Sequence, residues 1–87
     1  MENNENNNNQ LVEHIKQQIA DFYSKKQTIH FAVPKGNKKI ESTEVRITGI
    51  YKYFFCVQTM YKRFNENYTF KYVDVFIKNV IIEEIAL

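Results

Sequence analysis

Tyr68-Thr69-Phe70-Lys71-Tyr72-Val73-Asp74-Val75-Phe76 decides how this chain is read. Tyr68, Phe70 and Tyr72 alternate with Thr69 and Lys71, the period of a half-buried strand. The alternation stops after Tyr72, where Val73, Val75 and Phe76 crowd around one acid. Val73 and Phe76, three apart, fit a single helical turn. Asp74 has the chemistry to start that turn by accepting hydrogen bonds from the backbone N–H groups that follow it. Tyr72, Asp74, Val75 and Phe76 are therefore read as a structural turn, after which Val80-Ile81-Ile82 resumes as strand.

Working outward, four more elements emerge. Met1 to Gln10 holds six asparagines and two glutamates and, after Met1, nothing to bury, so residues 1–10 read as a disordered Asn-rich tail. Leu11, Ile15, Ile19 and Phe22 recur at helical spacing, which predicts a helix over about 11–24 with Asn9 as its N-cap. From Gln27 onward the chain reads as a first strand, with Ile29, Phe31 and Val33 alternating against Thr28, His30 and Ala32, ended by Pro34. A second strand covers Ile40 to about Ile50, with Val45 and Ile47 on one face and Gly49 where a strand bends or bulges. A third runs from Tyr51 to Lys62. Both of its faces are apolar around Phe54 to Val57, which calls for a covered second face, and the N-terminal helix is the expected cover. The last strand runs from Val80 to about Ile85.

One helix, then five short strands with a single turn before the fifth, is a mainly β architecture. The order predicts a small five-stranded SH3-like or Sm-like barrel with a leading helix, occupying residues 11–87 as one domain. The rival five-stranded OB-fold places a helix between strands three and four. Here Asn65-Glu66-Asn67 is too short for one.

Composition narrows the function classes. Eighty-seven residues make one small domain, and ten of the thirteen aromatics fall between Tyr51 and Phe76, so the core is expected there. Tyr51, Tyr53, Tyr61, Tyr68 and Tyr72 read as core residues with hydroxyls at the rim. The net charge of +2 is far from a strongly basic nucleic-acid footprint. A lone cysteine, Cys56, excludes an internal disulfide and fits a reducing cytoplasm. No basic start with an apolar centre marks a secretory leader, and no apolar run is long enough for a membrane span.

Candidate sites are few. Lys35, Lys38 and Lys39 form the densest positive charge; with Lys25 and Lys26 they make a candidate basic patch for a partner or for nucleic acid. His14 and His30 lack zinc-ligand spacing, and Cys56 has no activating base nearby in sequence. No nucleophile–base pair, phosphate loop or paired carboxylates appear, so no catalytic residue, metal or cofactor is expected and the chain reads as a non-enzyme.

From Val45 onward the chain resembles the Veg family, small bacterial stimulators of biofilm formation. Val45-Arg46-Ile47, then Tyr51 and Phe54-Phe55-Cys56-Val57, resemble the family's tyrosine followed by an apolar strand. The strongest piece is Tyr68 to Phe76 followed by Val80, similar to the family's aromatic strand and Tyr-x-Asp-Val signature. The chain departs from the pattern with Tyr51-Lys52 in place of Tyr-Pro, no glycine near Val45, and a basic turn thinned to Gly36 and lysines. The resemblance implies a regulatory barrel that modulates gene expression through contact with a transcriptional regulator. An Sm-like nucleic-acid binder is the alternative, and a homo-oligomer remains open under either.

Overall fold

The computed structural model describes residues 3–34, 42–60 and 65–85. The elements in chain order are α1 (Asn3–Ser24), β1 (Thr28–Ala32), β2 (Thr43–Ile50), β3 (Phe54–Thr59), β4 (Asn67–Lys71), α2 (Tyr72–Phe76) and β5 (Ile81–Ile82). The five strands form one antiparallel sheet in the order β4-β3-β2-β1-β5.

The helix departs from its expected start. Its backbone is helical from Asn3, within the stretch read as a disordered tail, so Asn9 is an interior residue and not the N-cap. Once a docked turn is nucleated, each further residue adds one hydrogen bond, and polar residues can continue the helix. The buried stripe is Ile15, Ile19 and Phe22, with Val12 packed against it; Leu11 points outward. Spacings of three, four and three keep Val12 through Phe22 on one face. The helix ends where Lys26 adopts φ 54°, which lets Gln27 N–H reach the Phe22 carbonyl at 3.0 Å. That six-to-one bond satisfies a carbonyl the helix leaves open and turns the chain into β1.

The inner face of the sheet follows from register. Ile29 lies opposite Val45, Val45 opposite Thr59, Ile47 opposite Val57, and Phe55 opposite Phe70, so the alternate apolar residues of every strand meet on one side. These residues, the α1 stripe, Tyr72, Val75, Val80, Ile82 and Ile85 share one core. Thr59, buried among them, keeps its hydroxyl satisfied by accepting from Glu66 N–H at 2.8 Å, which pins the β3–β4 connection. The register shifts between Ile47 and Gly49, a bulge at the glycine where the sequence called for one.

The sheet curls strongly. The Phe31 ring on β1 lies 5.4 Å from Tyr68 and 5.3 Å from Phe70 on β4, although two strands separate β1 from β4. In a flat sheet they would stand roughly 14 Å apart. Strand pairing nevertheless does not close a barrel: β4 and β5 are the two ends and do not pair with each other. β5 has only two residues, because the chain turns at Glu83 and Glu84, so the strand expected to run to Ile85 is short.

Two further expectations for β3 are corrected. Tyr51 to Tyr53 is a turn before the strand, closed by Tyr51 N–H donating to the Phe54 carbonyl at 2.9 Å. The helix packs on the Phe55 side, sharing its core, and the Phe54–Cys56–Gln58 face stays partly open. One covered face is enough to bury the strand, and Phe54 remains exposed on the other.

Candidate functional site

Tyr72 organises a surface built from α1, the β2–β3 turn and the start of α2. It is the first residue of α2 and only 2% exposed. Its ring stacks on Phe55 with centroids 5.5 Å apart. Its hydroxyl donates to the Tyr51 carbonyl at 2.6 Å, and its backbone N–H donates to the Tyr53 carbonyl at 3.3 Å. Burial raises the phenol's pKa above its ordinary value, and the bond to Tyr51 only partly offsets this. The β2–β3 turn is thus held at two carbonyls by one core residue.

What that turn displays is aromatic. Tyr51 is 50% exposed, Tyr53 69% and Phe54 36%. Tyr51 and Phe54 stack with centroids 4.8 Å apart and planes 19° from parallel. Gly49 makes this arrangement possible: a Cβ there would meet the Tyr51 ring at 2.8 Å. Of the tyrosines read as core, only Tyr72 is fully buried; Tyr51, Tyr53 and Tyr68 are exposed, and Tyr61 lies outside the described residues. Alternation alone misplaced Tyr53, because it assigned to the strand a residue that belongs to the turn.

Beside the turn lies an open groove of about 830 Å³. Val12 and Lys16 of α1 form one wall, Lys52 and Tyr53 of the turn a second, and Lys71 and Val73 around the start of α2 a third. Tyr72 and Glu13 complete it. The Lys16 ammonium sits 5.7 Å from the Tyr72 ring centroid and the Lys52 ammonium 5.3 Å from that of Tyr53, favourable cation–π geometry. Among the described residues the ion pairs are Lys25 with Asp21 and His30 with Glu84 and Glu44; none engages the groove lysines. No charge run marks the groove lysines in the sequence, because Lys16 and Lys71 lie fifty-five residues apart and converge only on folding.

Asp74 stands close by in α2. Its carboxylate accepts from the Lys71 N–H at 3.2 Å, so it reaches back to the residue before the helix and not forward to those that follow. As the third residue of α2, it is too far into the turn to receive its successors' N–H groups, and it holds the helix start through this one bond to the preceding residue. Val75 is buried and Phe76 half-buried against the core.

Only part of the expected basic patch falls among the described residues. Lys35, Lys38 and Lys39 lie outside the described residues. Lys25 pairs with Asp21 at 3.0 Å, and Lys26 is the left-handed residue that ends α1. At the opposite sheet edge, His30 ties β1 to the C-terminal turn: its ring Nδ1 lies 2.7 Å from one Glu84 oxygen and its backbone N–H donates to the other at 2.9 Å. The hydrogen bond to Glu84 raises the imidazole pKa, against a smaller opposing effect of burial. Burial pushes Glu84 up, but the bonds from the His30 ring and backbone outweigh it and hold the carboxyl below its ordinary value. Among the described residues no group of three or more His, Cys, Asp or Glu side chains is placed to hold a metal ion, and no helix is long and apolar enough to cross a membrane.

A family model described as biofilm formation stimulator VEG matches residues 10–83. The chain belongs to the Veg family. The match takes in the apolar half of α1, every strand and α2, so the aromatic turn and the groove both lie inside the part that carries Veg character. The family is described as a stimulator of biofilm formation and not by an enzymatic activity. No curated protein matches the chain.

Proposed function

We propose that this Veg protein is a non-enzymatic cytoplasmic regulator that modulates gene expression of the biofilm type by contacting a transcriptional regulator. The observation that carries the reading is the aromatic turn: Tyr51, Tyr53 and Phe54 are exposed together on a turn that Tyr72 anchors to the core. Clustered exposed aromatics on a rigid support are what protein interfaces use as anchors, since large rings bury area at little conformational cost. The curl that brings Phe31 against β4 supports reading the scaffold as an open SH3-like or Sm-like barrel, with the turn at its rim.

The test is capture of partners from a lysate of the native host, with and without nuclease, by the wild-type chain and by Tyr53→Ser. A protein partner retained after nuclease and lost with Tyr53→Ser supports the reading. Capture that disappears with nuclease transfers the function to nucleic acid, and capture indifferent to Tyr53→Ser moves the contact elsewhere.

A further inference from the structure

The groove beside the aromatic turn specifies more than contact in general. Its charged side chains are Lys16, Lys52 and Lys71 against the single Glu13, brought from α1, the β2–β3 turn and the end of β4. Between them lie aliphatic surface from Val12 and Val73, the latter exposed, and the exposed Tyr53 ring. Its volume of about 830 Å³ falls within the roughly 300–1,000 Å³ of sites that bury a ligand. The three ammonium groups have no carboxylate partner among the described residues, so an incoming carboxylate displaces no existing ion pair.

We propose that the groove binds an acidic amphipathic peptide segment of the partner, with one large apolar side chain seated between Val12, Val73 and Tyr53. Carboxylates on either side of that anchor meet Lys16, Lys52 and Lys71. The proposal rests on the protein-contact reading above and names the chemistry of the segment that makes it. Charge complementarity chooses acid over base. The aliphatic wall chooses a peptide over a nucleic-acid strand, whose phosphates would meet only three cations here and a glutamate among them. The apolar anchor supplies affinity that the charges alone do not, because exposed ion pairs contribute little and the lysines chiefly set register and partner choice.

The experiment is selection of a displayed random peptide library on the immobilised full-length chain, repeated on the Lys16→Glu/Lys71→Glu variant and on Lys52→Glu. Both variants are first checked for wild-type melting. On the wild type, enriched peptides should carry net negative charge around at least one large apolar residue. A selected peptide, made synthetically, should bind at least tenfold more weakly to either variant and to Tyr53→Ser. Its affinity should also fall as salt rises from ~0.05 to ~0.5 M, over which the screening length shrinks from about 14 to about 4 Å. Substituting Gln for Glu in the peptide should weaken it comparably. No enrichment, enrichment of neutral or basic peptides, or indifference to lysine reversal overturns the proposal. Tighter binding of an oligouridylate than of any selected peptide, abolished by the same reversals, assigns the groove to nucleic acid and overturns it as well. The two claims fail separately. If the lysate partner survives lysine reversal but not Tyr53→Ser, the acidic segment is wrong and protein contact stands. If it survives both, the reading of the aromatic turn falls too.

Discussion

Tyr72→Phe removes one oxygen atom and should loosen the turn that carries the exposed aromatics. The hydroxyl donates to the Tyr51 carbonyl at 2.6 Å from a side chain that is 2% exposed. The ring contacts remain in the variant, both the stack on Phe55 at 5.5 Å and the Lys16 ammonium over its face, so the change isolates the hydrogen bond. A net intramolecular hydrogen bond contributes about 0.5–1.5 kcal/mol. Tyr51 is half exposed, so water can reach its freed carbonyl, and a value near the middle, about 1 kcal/mol, is expected. For a domain of this size that corresponds to a fall of roughly 4–8 °C in melting temperature. Urea denaturation measures it, and an unchanged slope with a lower midpoint would show that stability changed and compactness did not. Amide exchange should quicken at Tyr72, whose N–H bonds the Tyr53 carbonyl in the same turn. An unchanged midpoint together with unchanged exchange would refute the claim that Tyr72 holds the turn.

Four further outcomes are expected. The His30–Glu84 pair gives stability a pH optimum: the His30 contribution is complete below its ordinary pKa of 6.5 and is lost as pH rises through the raised folded value, while that of Glu84 is complete above 4.5 and is lost as pH falls through its lowered value. Melting temperature should therefore peak between those two limits, and His30→Gln should flatten the alkaline side of the curve. Asp74→Ala should cost about 0.5–1.5 kcal/mol in denaturant titration, and Asp74→Asn should recover most of it because an amide oxygen still accepts from Lys71 N–H; recovery only with Glu would mean that charge matters more than the bond. Gly49→Ala should push the Tyr51 ring off Phe54, costing about 0.5–1.5 kcal/mol for the stacked pair and changing the near-ultraviolet dichroism; an identical spectrum would contradict the contact. A chain starting at Leu11 should fold with nearly the wild-type melting temperature, since nothing between Glu2 and Gln10 is apolar; a fall of many degrees would show that the helix needs its first two turns.

Strand periodicity made much of the scaffold legible. Ile29 and Phe31, Val45 and Ile47, and Phe55 and Val57 alternate, and each pair is buried on the shared face. Gly49 marked its bulge and the break after Tyr72 marked α2, because both are local backbone events that residue type controls. Side-chain direction at element ends was harder to read. Tyr53 continues the strand pattern in sequence, yet a bond from Tyr51 N–H to the Phe54 carbonyl makes it part of a turn and sends it outward. Asp74 was rightly placed in the turn but bonds backward, a choice set by its position within α2. The groove was not legible at all. Lys16, Lys52 and Lys71 are separated by thirty-six and nineteen residues, and no charge run in the sequence announces them. The lysines of residues 35–39 stand out in the sequence because local density is all that a sequence shows directly.

Complementation in the native host tests most directly whether the aromatic turn carries the function. The Veg gene is deleted and replaced at its own locus by wild type or by Tyr53→Ser, whose purified protein is first shown to melt like wild type and whose level in cells is matched. Biofilm mass is then measured beside transcript abundance. Deletion should lower biofilm mass and shift transcripts, wild type should restore both, and Tyr53→Ser should restore neither. Full restoration by Tyr53→Ser, or a deletion without effect on either readout, would contradict that role of the turn.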